Sequence, residues 1–326
     1  MKLISISLVI ALIQFDPLNG LSADTIQLTD TTSCVFTSVE AGQAALRTPD
    51  RYTTALSRFD LESRLKTNDA VTTKDLMKFS AEQVIAWSDA DRAKMESVIA
   101  SVAKRFADYA LPFPPEILLI QTTGKEEGGA AYCRRHAVIL PRPHVGFRES
   151  QLEKIFIHEL FHVLSSHNEP LRRSLYEIIG FKPCPEVTLP ESLVDFKITN
   201  PDGPSLRYYI ELDVDGQDRL AVPLLYSPER FDPKQNRSFF GYLKFQLLVV
   251  RRNGNDWSVV EESGKPILLD PKKTPSFHQQ IGGNTKYIIH PDEVLADNFM
   301  HLIMQKQDLP NPEIVSTIKE LLRADK

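Results

Sequence analysis

Cysteine is scarce in this chain: Cys34, Cys133 and Cys184 are the only three in 326 residues, and no Cys-x-x-Cys occurs. A cysteine zinc site is therefore not expected, and at most one intramolecular disulfide can form, its pairing unreadable from sequence. Positive charge is not in excess either, with 38 Lys and Arg against 43 Asp and Glu. A net charge of -5, with the basic residues scattered, gives no field to draw in nucleic acid as a partner. No repeat period is present, which excludes solenoids and propellers.

Long apolar runs are also missing beyond the first residues, so no stable membrane anchor is expected, since a spanning helix needs about 18–20 apolar residues. The start, MKLISISLVIALIQF, joins Lys2 to an apolar run broken by Gln14, Asp16, Pro17 and Gly20, and then reaches Leu21-Ser22-Ala23. It reads as a signal peptide over 1–23, which predicts a secreted or periplasmic protein.

What remains is ordinary for a folded chain, 42% apolar and 25% charged. The fold class expected is α+β. Residues 24–110 read as an N-terminal helical region, integral rather than a prosegment. Its clearest helix follows the capping cluster Ser88-Asp89-Ala90-Asp91, with Met95, Val98, Ile99, Val102 and Phe106 at helical spacing. Residues 111–184 hold a small mixed sheet, with strands at Glu116–Thr122 and within Ala131–Pro141, followed by a helix from about Ser150 to Ser165. That helix is apolar nearly all round in its second half, which predicts burial. Residues 185–288 alternate short apolar runs with Pro, Gly and Asn breakers and read as a β-rich insertion. Helices return over 289–326.

The buried helix carries His158-Glu159-Leu160-Phe161-His162, the HExxH pattern. Residues four apart lie on one helical face, so two imidazoles can converge on one ion. The glutamate, about 100° round from the first histidine, can hold a water without ligating. A catalytic zinc wants a third protein ligand and an open position. His167 stands one register off the metzincin position, and His301 is a candidate to line the cleft. The stronger candidate is Glu293, which shares with Asp297 one face of a helix opened by Pro291.

These two short motifs resemble the gluzincin metallopeptidases, in which HExxH on one helix is joined by ExxxD on another. The resemblance implies a zincin-like catalytic domain with one Zn2+ held by His158, His162 and Glu293. It also implies Glu159 as general base and Asp297 hydrogen bonded to an imidazole, that of His158. One departure stands out: 131 positions separate His162 from Glu293, so the β-rich stretch must be inserted between the two motifs. The activity implied is hydrolysis of a peptide or protein substrate by zinc-activated water. Two other readings stay open: a zincin-like metal-binding protein without turnover, and a zinc hydrolase of a non-peptide amide or ester. Further zincin features, an edge strand near Ala130-Ala131-Tyr132 and an oxyanion donor among Tyr208, Tyr209, Tyr226, Tyr242 and Tyr287, have no motif of their own.

Overall fold

The computed structural model describes residues 24–235 and 237–324, so the expected signal peptide lies outside the described residues. The chain is mixed α+β. It opens with strands β1 (Thr25–Thr29) and β2 (Thr32–Phe36). The region 24–110, expected to be helical, thus begins with a two-stranded piece before its helices start at Val39. Leu28, Cys34 and Phe36 are buried, and β2 runs parallel to β3 (Glu116–Thr122), so this short alternating stretch is held by a partner eighty residues downstream.

Helices α1 (Val39–Arg47), α2 (Arg51–Ala55), α3 (Arg58–Leu65), α4 (Thr73–Glu82) and α5 (Asp89–Phe106) follow. Ser88 caps α5 by accepting from the Asp91 N–H, and Met95, Val98, Ile99, Val102 and Phe106 form its buried stripe. Strands β4 (Tyr132–Arg134) and β5 (Ala137–Pro141) complete a five-stranded sheet of order β1-β2-β3-β5-β4. The last strand, β4, is an edge strand, antiparallel to β5, its one neighbour among the described residues.

After the single turn α6 (Arg142–Val145) come α7 (Glu149–His167) and α8 (Glu169–Ile178). In α7, Phe156, Ile157, Leu160, Phe161, Val163 and Leu164 have no exposed surface, as expected of a helix apolar on most sides. It packs on α5, on β4 and on α11 (Pro291–Ile303), with the Phe161 and Phe299 rings 5.6 Å apart.

Between α8 and α11, along with the short helices α9 (Glu191–Val194) and α10 (Pro275–Ile281), lies a second sheet, antiparallel, of order β10-β9-β8-β7-β6. Its strands are β6 (Phe181–Pro183), β7 (Tyr208–Val214), β8 (Gln217–Tyr226), β9 (Lys244–Asn253) and β10 (Asp256–Val259). Asp215 and Gly216, both at positive φ, close the β7–β8 hairpin. Tyr208, Ile210 and Leu212 face the main core while Tyr209 faces a second apolar cluster, the period of two expected of strands.

Before β7, the loop Thr199–Ser205 is tied back to α3. Asp60 accepts from the Thr199 N–H and hydroxyl at 2.9 and 2.6 Å, and Arg64 donates to the Thr199 carbonyl at 3.0 Å. Arg64, buried, also pairs with Asp60 at 2.8 Å and Glu127 at 2.9 Å. The β-rich segment is thus pinned to the N-terminal helices, and its loop is held over α7. No helix among the described residues is long and apolar enough to cross a membrane.

Candidate metal and catalytic centre

His158 and His162 stand one turn apart on α7, ring centroids 4.8 Å from each other, and both face α11. Pro291 fits the first turn of α11, and His290 caps it by accepting from the Asp292 N–H at 3.1 Å, which brings Glu293 to the opposing surface. Glu293 Oε2 lies 3.0 Å from His158 Nε2 and 3.5 Å from His162 Nε2. One ligand atom from each of the three residues falls within 4.8 Å of the others, the arrangement of a possible metal site.

The orientation of the rings strengthens this. His158 Nδ1 is 3.0 Å from Asp297 Oδ1, and His162 Nδ1 is 2.7 Å from Asp292 Oδ2. Each carboxylate thus accepts from an Nδ1–H and leaves Nε2 to face Glu293. Asp297 is in turn held by the Thr285 hydroxyl, and Asp292 by Ser165 Oγ at 2.6 Å and the Tyr176 hydroxyl at 2.7 Å. Asn200 Nδ2 donates to the second oxygen of Glu293 at 2.6 Å.

Within this network His162 Nε2 is buried and, beyond the 3.5 Å approach of Glu293 Oε2, has no hydrogen-bond partner among the described residues. An orphaned buried polar atom costs about 1–3 kcal/mol, and a divalent cation between the three side chains would satisfy it. The donor set, two imidazole nitrogens and a carboxylate, suits zinc. Burial alone would push the His158 imidazole down, yet the hydrogen bonds to Asp297 and Glu293 outweigh it and raise its pKa to about 10. Burial would likewise raise Glu293, but His162 and His158 hold it well below the usual carboxylate range. The field that favours a proton on the imidazoles favours a bound cation equally.

Glu159 points beside this cluster rather than into it. Its carboxylate Oε2 is 3.4 Å from Cys133 Sγ, and burial raises its pKa. Cys133 lies on β4, and its N–H, turned away from β5, donates to Asp202 Oδ1 at 2.7 Å. One oxygen each of Glu159 and Asp202 and the Cys133 sulfur lie within 4.8 Å of one another. The Thr199–Ser205 loop therefore crosses the centre. Gly203 permits this, because a Cβ there would stand 2.3 Å from the His290 ring.

Of the remaining candidates, His167 ends α7 away from the cluster, and His301 is buried with Nε2 3.1 Å from the Asn284 carbonyl. Among the tyrosines named, Tyr287 approaches the centre, its ring 6.2 Å from that of His158, while Tyr209 packs on Trp257 and Tyr242 on Phe59. All three cysteines are free. Sequence reasoning missed Asp292, Asn200 and Asp202. The signal available for Asp292 was its place in the first turn beside Glu293, and the other two sit in a loop without a motif. No protein-family model, no curated protein and no solved structure matches the chain.

Proposed function

We propose that the protein is a zinc-dependent metallopeptidase of gluzincin type, with a zincin-like catalytic domain interrupted by a β-rich insertion. The observation that carries this reading is the convergence of His158 Nε2, His162 Nε2 and Glu293 Oε2, with His162 Nε2 buried and otherwise unpartnered. Under it His158, His162 and Glu293 hold the ion, and Asp297 and Asp292 fix the two rings. When bound, zinc supplies Lewis acidity towards the scissile carbonyl and lowers the pKa of a water to about 7.

The chain's own residues do the rest. Glu159, buried beside the cluster, takes the water's proton and returns it to the leaving amine. The outward N–H of Cys133 on the edge strand is a donor for the backbone of an extended peptide, once Asp202 is displaced from it. A general base next to three ligands, with no fourth protein ligand in the cluster among the described residues, fits a catalytic site better than a structural one. With the signal peptide expected at 1–23, the proposed enzyme would act outside the cytoplasm.

One observation favours the rival reading, a metal-binding protein without turnover: Asn200 and Asp202 already reach into the centre. Metal analysis and peptide hydrolysis, compared across variants, separate the two. Glu159→Gln is expected to keep stoichiometric zinc and lose hydrolysis, and Glu293→Ala to lose most of its zinc. Wild-type protein that binds no zinc would sink the whole reading, and zinc binding without hydrolysis would leave the rival standing.

A further inference from the structure

A cavity of about 650 Å³ opens beside the centre, bounded by β4, α2, the C-terminal end of α7 and the Pro201–Ser205 loop. His162 lines one end of it, so whatever enters is adjacent to the proposed metal ligands. Its size suits more than a single side chain.

The charges around it are lopsided. Arg51, Arg134, Arg135 and Arg172 line it, against the carboxylates of Asp50 and Asp202. Arg134 and Asp50 cancel: Nε lies 2.7 Å from Oδ2, and the other guanidinium nitrogens donate to the Leu46 and Thr48 carbonyls at 3.1 and 2.9 Å. Asp202 is already engaged, accepting from the Cys133 N–H at 2.7 Å.

The other three guanidiniums are under-used. Arg172 donates through Nε to the Ser165 carbonyl at 3.0 Å and hydroxyl at 3.1 Å, and its ion pair with Glu169 is loose, 3.7 Å from Nη1, so its Nη donors are largely unspent. Arg51 and Arg135 are exposed, and their side chains make no hydrogen bond or ion pair among the described residues. Arg135 is also held at φ 57° directly after β4, which fixes where its side chain leaves the edge strand. Guanidinium groups with free donors around a concavity are what carboxylate recognition requires.

We propose that this cavity binds carboxylate groups of the substrate peptide, so that the site acts on acidic segments or acidic chain ends, with Arg51, Arg135 and Arg172 as the recognising groups. This rests on the peptidase reading for the reaction, but binding can be read without turnover.

The test uses the zinc-loaded Glu159→Gln protein and fluorescent peptides that differ by Glu against Gln on either side of a fixed centre, and by free acid against amide at the C-terminus. Anisotropy titrations are expected to show the Glu peptide binding about tenfold tighter than its Gln isostere, a gap that narrows at high salt. If the carboxylate comes from the chain end instead, the free-acid and amide pair carries the difference. The Arg51→Gln/Arg135→Gln double variant is expected to erase most of the gap while its melting temperature stays unchanged, since neither side chain has a partner to lose. Equal binding of acid and amide forms in both series, or a gap untouched by the double variant, overturns the proposal. Zinc-loaded wild-type protein that shows the same acidic preference yet cleaves none of these peptides would refute the peptidase reading and leave the cavity's assignment intact.

Discussion

Asp202 Oδ1 accepts from the backbone N–H of Cys133 across 2.7 Å, so the edge strand is engaged by the chain itself at the position nearest the histidine and glutamate cluster. A peptide pairing with β4 must compete with this bond. Replacing Asp202 by Ala is expected to lower KM about fivefold, the worth of one hydrogen bond, with kcat little changed. Steady-state kinetics on a peptide substrate decide it: a higher KM would mean that Asp202 positions the substrate instead.

Asp292 orients His162 and is itself held by Ser165 and Tyr176. Its loss leaves the imidazole free to change tautomer. Asp292→Ala is expected to weaken zinc binding about 10- to 100-fold, read by competition with a chromophoric chelator, whereas Ser165→Ala should cost less. Unchanged affinity in Asp292→Ala would argue that His162 takes no part in metal binding.

Burial lowers the His290 pKa from 6.5 to about 4. The unfolded chain therefore binds the extra proton first, and stability is expected to fall as pH drops from about 6.5 through about 4, by roughly 3 kcal/mol in all. Above that window the residue contributes no pH dependence. His290→Asn keeps a capping side chain on α11 and removes the titration. Urea unfolding at neutral and acid pH should show the wild type losing more stability than the variant, and parallel losses would contradict this.

Arg64 joins α3 to Glu127 and to the Thr199 carbonyl with its side chain 1% exposed. Arg64→Met strands two buried carboxylates, Asp60 and Glu127, and is expected to cost about 3–5 kcal/mol. Because Thr199 begins the loop that crosses the centre, hydrogen exchange in residues 199–205 should rise in the same variant. A drop in stability with that loop unchanged would separate the two effects.

How much of this was legible in the sequence follows from the range of each interaction. The two motif helices show in their own residues: the apolar circumference of α7, Pro291 at the start of α11, and pairs four apart on one face. Strand β3 shows as well, a continuous apolar run between breakers. Strands β1 and β2 do not, because their short polar-rich alternation becomes strand only against β3. Asn200 and Asp202 were invisible for the same kind of reason. Their side chains matter through partners at positions 293 and 133, and an Asn-Pro-Asp-Gly stretch reads locally as nothing but a turn. Asp292 sat in plain view, yet no spacing rule links it to a histidine on another helix.

The insertion of a whole sheet between the two motif helices also sets the order in which the protein can mature. A chain that has emerged only as far as the end of that sheet offers the two imidazoles but lacks the carboxylate that faces both Nε2 atoms until Glu293 arrives and α11 docks. Under the proposed metal site, tight zinc uptake would thus report that α11 has been made and has docked on α7, and a chain cut before α11 is expected to fail to retain zinc.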